Sequence, residues 1–333
     1  MENDKLKYCS IEKYSGYKPK ISKNMIVKRN NYSVIKGFSI TGDAPKEFIR
    51  VYEYGIGRKN HLHTWPLYIA KTGHKWYPVE SITEYMLNRF GCELGLNMSI
   101  SRIAIAGGQL RFLSKYFLKK DQELVHGADI YAGFLNDRGF VEEIEEKQLA
   151  RDFFTIQFTE QAIRYSFPEQ TVIIMQEFVK MLLFDALVGN NDRHYYNWSI
   201  IRHLRCYHQP IFSPIYDTAR GLFWNESENK LLSLHSNKGN LKTFLQKYTE
   251  NSKPKIGWEN EMNINHYKLV HLIAQNEYYI TKIQIKELFS QPQLEKLFNV
   301  LDTEFRSLLN PERFDLIRMC LEFRYKRLLE LVD

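Results

Sequence analysis

The sequence predicts an α+β fold in two parts, a β-rich first third followed by a mainly helical remainder that carries one hairpin. Three observations carry that expectation. Short runs of β-branched and aromatic residues, separated by Gly, Pro, Asn and Asp, fill the chain as far as about residue 118. Beyond about residue 122 the apolar residues recur at helical spacing instead. The length of 333 residues exceeds one typical domain, so two lobes, 1–118 and 119–333, are the expected division.

Taken in order, "MIVK", "YSVIKGFSI", "EFIRVYEYG" and "WPLYIAKTG" read as strands. A helix is expected from Ser81 to about Leu94. Ser81 and Glu84 have the spacing of a capping box, and Ile82, Tyr85, Met86 and Phe90 form an apolar stripe. "MSISRIAIAGG" and "QLRFLSKYFL" then read as two more strands around a Gly-Gly turn. In the second part, residues 141–165, 171–188, 282–299 and 311–331 carry helical periodicity. The last opens with Asn310 as N-cap and Pro311 at the first helical position. Between them sit two strand-like runs, "WSIIRH" and "PIFSPIYD", joined by "LRCYHQ". The Asn-, Ser- and Lys-rich stretch 225–260 reads as loop, and no internal repeat is visible.

Composition narrows the class. A chain that is 44% hydrophobic and 14% aromatic builds packed cores and is not disordered. The net charge of +7 favours anionic partners such as nucleotides, nucleic acid or lipid headgroups, although the excess is diffuse. Cys9, Cys92, Cys206 and Cys320 are far apart and form no C-x-x-C pair, which excludes a zinc ribbon and gives no disulfide framework. The N-terminus "MENDKLKYCS" lacks the apolar core of a signal peptide. Glu177, Lys180 and Asp185 interrupt the longest apolar stretch, so no membrane span and a cytoplasmic location are expected.

The densest chemistry follows that apolar stretch. "TVIIMQEFVKMLLFDALV" runs into "GNNDRHYYNW" at residues 189–198, and the hairpin beyond ends at Asp217 in "SPIYD". Asp192 and Asn197 are five apart. Two carboxylates with an amide oxygen between them form a hard-oxygen set that suits Mg²⁺, which keeps water and substrate phosphate in its other positions. Phosphoryl transfer also needs an aspartate to orient the attacking hydroxyl and take its proton. Protein kinases place that aspartate in H-R-D-x-x-x-x-N, the same five-residue step, with a second metal-binding aspartate following. The expected fold is therefore protein-kinase-like, with a catalytic loop at 189–198 and a metal-binding segment at 213–217.

The β-rich part has matching features. "EFIRVYEYGIGRKN" is a strand followed by Gly55 and Gly57, whose lack of side chains lets backbone amides approach phosphates. "WPLYIAKTG" ends in Lys71, which can neutralise phosphates, and Glu84 in the next helix is the carboxylate placed to hold that lysine.

These residues resemble the HipA-like kinases, a bacterial toxin-kinase family related in fold to the phosphatidylinositol 3/4-kinases. "LLFDALVGNNDRHYYNWSII" followed by "FSPIYD" has the family's order: apolar helix, G-N-x-D-R-H-x-x-N, then P-x-Y-D. "SGYKPKIS" at 15–22 resembles the family's S-G-x-Q-P-K phosphate loop, with Lys18 where Gln is usual, and "LVHGADI" resembles an element between the lobes. The resemblance covers roughly residues 10–225. It implies ATP and Mg²⁺ as cofactors, with Asp192 as catalytic base and His194 in the catalytic-loop scaffold. Asn197 and Asp217 become metal ligands, and Lys71 takes the ATP phosphates. The backbone around Ser114, Lys115, Tyr116 and Phe117 becomes the hinge that meets adenine. It also implies a protein serine or threonine acceptor, with tRNA-charging enzymes as the family's known targets, and a small antitoxin or DNA-binding partner. Ser15 matches a serine whose autophosphorylation silences family members. Two segments remain candidates for the phosphate loop, Ser15–Lys20 and Gly55–Lys59, and with the first of them Lys36 rivals Lys71.

Other classes share parts of the pattern. A metallophosphoesterase needs an upstream D-x-H and a downstream G-H-x-H, and "HLH" at 61–63 is the nearest approach. Aminoglycoside-type phosphotransferases put histidine before the aspartate. A catalytically silent nucleotide- or nucleic-acid-binding protein agrees with the basic charge but not with intact base and metal positions. A lipid or small-molecule acceptor is permitted by the fold kinship, without an amphipathic membrane-binding stretch to support it.

Overall fold

The strand-like runs assemble into a five-stranded antiparallel sheet in the order β1-β2-β3-β5-β4, with β1 at Tyr32–Val34, β2 at Lys46–Val51, β3 at Leu67–Thr72, β4 at Ser101–Ala106 and β5 at Gln109–Lys115. The computed structural model describes residues 20, 22–35, 46–73, 79–205 and 207–332. Side chains alternate across a strand. On one face Ile49, Val51, Tyr68, Ala70, Ala104 and Leu113 close a small core. Lys71 is out of phase with Tyr68 and Ala70, so it belongs to the other face, where α1 (Glu80–Glu93) packs. "MIVK" contributes only a bridge between Ile26 and Ile105.

Helix α1 buries Ile82, Met86, Leu87 and Phe90 completely. Its expected capping box does not form. The N-cap position is Val79, Ser81 Oγ accepts a hydrogen bond from the Gly73 amide at 2.8 Å, and Glu84 turns to Lys71. Both side chains are spent on tertiary contacts across the sheet.

A second, three-stranded antiparallel sheet runs in the order β6-β7-β8, with β6 at Gln122–His126, β7 at Ser199–His203 and β8 at Ile211–Phe212. The expected hairpin is β7 and β8, paired at Ile200 with Phe212 and at Ile201 with Ile211. Strand β6 runs directly into α2 (Gly127–Leu135), so "LVHGADI" is a strand-to-helix junction.

Around them lie helices. The expected helix at 141–165 is three: α3 (Arg138–Glu146), α4 (Ala150–Phe153) and α5 (Ile156–Ser166). Gln148 with φ 56° cannot continue a right-handed helix, and Thr155 caps α5 by accepting from the Phe158 amide. Helix α6 (Thr171–Val188) stands where expected, and from Met181 to Val188 every residue is buried. The stretch read as loop contains α7 (Glu228–His235) and α8 (Lys238–Glu250). The chain continues through α9 (His266–Asn276), α10 (Lys282–Leu288), α11 (Gln291–Val300) and α12 (Pro311–Glu330), and the helix expected at 282–299 splits before Pro292. One hydrophobic cluster joins α1, α6, the second sheet and the helices through α12. No described helix is long and apolar enough to cross a membrane.

Candidate active site

The apolar helix α6 ends in a charged anchor. Gly189 takes the left-handed conformation (φ 68°) that closes the helix, and its amide returns to the Asp185 carbonyl. Asp185 is a carboxylate inside an apolar run, which demands a partner. Arg193 supplies it, with Nε to Oδ2 at 2.8 Å and Nη2 to Oδ1 at 3.1 Å, while Asn190 Nδ2 donates to Oδ1 at 2.8 Å. The guanidinium also donates from Nη1 to the carbonyls of Asn197 (2.8 Å) and Tyr216 (2.6 Å). One buried arginine thus fixes the loop at both ends and ties it to the residue before Asp217.

That anchoring sets the polar groups of the loop. The Asp192 carbonyl accepts from the His194 amide at 2.9 Å and from Asn197 Nδ2 at 2.7 Å. The second bond commits the amide nitrogen of Asn197 and leaves its Oδ1 as the end suited to a cation. Burial raises the Asp192 carboxyl above its ordinary value, against the opposing pull of His194, Arg220 and Lys255. His194 accepts at Nδ1 from the Tyr196 amide at 3.3 Å.

Across the cleft, Lys71 Nζ lies 2.5 Å from Glu84 Oε1 and 2.9 Å from Asp217 Oδ1. Burial disfavours the ammonium, but Asp217 and Glu84 outweigh it and hold Lys71 well above its ordinary pKa. Lys46, the cross-strand partner of Lys71, reaches Asp217 Oδ2 at 3.3 Å. Burial alone would raise the Asp217 carboxyl, and the two lysines overcome it and hold it far below the usual carboxylate range.

These groups line a single cleft of about 730 Å³, bounded by Lys46, Lys71, Glu84, Ser114–Phe117, Asp192, His194, Asn197 and Asp217, with Ile69, Leu118 and Leu124 supplying apolar wall. Residues 114–117 leave β5 here: the Lys115 amide donates to the Ile100 carbonyl and the Tyr116 amide to the Leu67 carbonyl. Gly55 and Gly57 are not brought to it. They form the turn between β2 and β3, at the end of β2 opposite Lys46. Gly57 (φ 94°) packs so closely on Thr64 that a Cβ would meet the Thr64 carbonyl oxygen at 2.6 Å. Ser15 and Lys36 lie outside the described residues. Sequence reasoning missed Lys46, Arg193 and Arg220. The Asp185 carboxylate in an apolar helix was a signal for Arg193, whereas Lys46 becomes visible only through strand register.

Among the described residues no three His, Cys, Asp or Glu side chains cluster as a protein-only metal site. One carboxylate and one amide oxygen fit a hard cation whose other positions are water and phosphate.

Comparison with known proteins agrees with the fold. No curated protein matches the sequence. The crystal structure of the Helicobacter pylori proinflammatory kinase CtkA is similar, with a TM-score of 0.69 at 15% identity, covering 90% of this chain and 94% of that one. The Shewanella oneidensis HipA, solved with HipB and operator DNA, gives a TM-score of 0.49 at 16% identity, covering 89% of this chain and 64% of that one. Residues 38–290 match the HipA-like C-terminal domain, a span that takes in every cleft residue named above, and the protein belongs to that family.

Proposed function

We propose that the protein is an ATP- and Mg²⁺-dependent kinase that transfers the γ-phosphate to a serine or threonine hydroxyl of a protein. The observation that carries this reading is Lys71, bonded at once to Glu84 and Asp217 while Asp192 and Asn197 line the same cleft. A β-rich lobe, 1–118, and a helical lobe, 119–333, meet there.

In this reading adenine lies between Ile69, Leu118 and Leu124. Its edge meets the hinge backbone beyond Tyr116, because the Lys115 and Tyr116 amides are already committed. Lys71 meets the phosphates, positioned by Glu84. Asn197 and Asp217 would hold Mg²⁺, which supplies charge neutralisation on the phosphate oxygens. Asp217 is held in its ionised form by Lys71 and Lys46, and a cation bound there would share its oxygens with those two ammonium groups. Asp192 accepts the proton of the attacking hydroxyl as the acceptor oxygen bonds to phosphorus and ADP departs with the bridging oxygen. Its raised pKa makes it a better base than an exposed aspartate.

Ser15 is the proposed self-silencing site, and a small antitoxin partner belongs to the proposal through the sequence resemblance. Quantitative phosphoproteomics of cells expressing wild type against Asp217→Ala tests the reading and finds the acceptor. Serine or threonine sites specific to wild type support it, and identical phosphoproteomes sink it. Mass spectrometry of wild type exposed to ATP and Mg²⁺ should place one phosphate on Ser15, with activity falling as it accumulates.

A further inference from the structure

Lys71 and Lys46 are both engaged on the Asp217 side of the cleft. On the Asp192 side the cleft wall carries a different cation, Arg220. Its Nε lies 3.6 Å from Glu80 Oε1 and 3.9 Å from Asp192 Oδ2. Its guanidinium carbon sits 4.0 Å from the centre of the Trp224 ring. Glu80 is buried in the first turn of α1, and Arg220 is three residues beyond Asp217. The guanidinium therefore spans the helix that carries Glu84, the loop that carries the base and the segment that carries Asp217. An aromatic face fixes its plane.

Both carboxylates lie at ion-pair distance from the same guanidinium nitrogen, Nε. A planar guanidinium beside a general base is matched to the oxygens of a phosphoryl group. The position is also where charge must be met. In the transfer, the bond from the acceptor oxygen to Pγ forms, the bond from Pγ to the β,γ-bridging oxygen breaks, and the hydroxyl proton passes to Asp192. The three equatorial phosphoryl oxygens are then left between Asp192 and the nucleotide. Lys255 also acts on Asp192 electrostatically, but it does not line the cleft.

We propose that Arg220 is a catalytic residue that contacts the phosphoryl group in flight, an arginine supplied within the chain and held ready by Glu80 and Trp224. This rests on the kinase reading above. Its contact forms in the transition state, so removing it lowers kcat and leaves ATP binding in place.

The test compares wild type, Arg220→Met and Arg220→Lys by ADP release from ATP·Mg²⁺, a readout independent of the acceptor. It adds the affinity for ADP with aluminium fluoride, a mimic of the planar phosphoryl group. Arg220→Met should lower kcat by about 10²- to 10³-fold, the cost of removing one transition-state donor, with KM for ATP within about threefold. It should bind ADP with aluminium fluoride no more tightly than ADP alone. Arg220→Lys, which keeps the charge without the fork, should fall between. A purely structural role would instead lower the melting temperature and raise KM, and that pattern overturns the assignment. So does unchanged kcat, or aluminium fluoride affinity retained in Arg220→Met. If wild type itself shows no turnover and no gain in affinity from aluminium fluoride, the kinase reading fails and the role of Arg220 with it.

Discussion

Asp217 combines a left-handed backbone, φ 54°, with a carboxylate taken by two ammonium groups. Strained non-glycine backbone persists where surrounding contacts over-determine it, and the lysines supply those contacts here. The folded-state pKa lies below the ordinary 3.8, so the stabilisation is fully present above that value. It is lost as pH falls from about 3.8 toward the folded pKa. Thermal melts across pH should therefore show wild type more stable than Asp217→Asn near neutrality, with the gap narrowing below about pH 4. A constant gap would mean that the pairing does not depend on the carboxylate charge. Glu84 is the counterpart: burial pushes its carboxyl up to about 7 against the pull of Lys71.

At the scale of elements, the loop at 189–198 is held from beneath. Arg324 of α12 is fully buried, and its Nη1 donates to the Ala186 carbonyl at 2.8 Å, where the C-terminal carbonyls of α6 favour a cation. Gly189 fits there because a Cβ would meet Arg324 Nη2 at 2.5 Å. Gly189→Ala combines that clash with an unfavourable positive φ and should cost about 1–3 kcal/mol in urea unfolding. Loss below that range would show that Arg324 yields freely. The elements also show which local signals are readable. Helix α6 was legible because its 18 residues are mostly apolar and recur at helical spacing. The five-residue step from Asp192 to Asn197 was legible because both residues sit in one short loop that lines the cleft. Helices α7 and α8 were not, since Ser227 and Asn237 looked like loop residues and serve instead as N-caps. The capping box of α1 failed for the opposite reason, because Glu84 had a buried lysine to meet. Strand spacing could not reveal which end of β2 meets the cleft, so Gly55 and Gly57 read as phosphate-binding and Lys46 went unseen.

For the whole molecule, helix α12 is a structural buttress. Arg313 of α12 donates to Glu228 at 2.6 Å, to the Phe223 carbonyl at 2.7 Å and to the Glu226 carbonyl, clamping the segment that follows Asp217. Leu316, Ile317, Leu321 and Leu328 of the same helix are completely buried. Ending the chain at Asn310 should leave a protein without a cooperative thermal transition, and a sharp melt from that truncation would show α12 to be dispensable. The match to the HipA-like C-terminal domain ends at residue 290, so this buttress lies beyond the matched span. In the proposed function one cleft joins the nucleotide lysine, a metal pair and a base for phosphoryl transfer. The most direct measurement sets binding against turnover in Asp192→Asn, by calorimetry with ATP·Mg²⁺ and single-turnover transfer of labelled γ-phosphate. ATP affinity should stay within about threefold of wild type, while transfer falls by about 10²- to 10⁴-fold, the span of general-base catalysis. Transfer by Asp192→Asn at the wild-type rate would show that Asp192 is not the base, and no transfer from wild type would show that the cleft does not catalyse phosphoryl transfer.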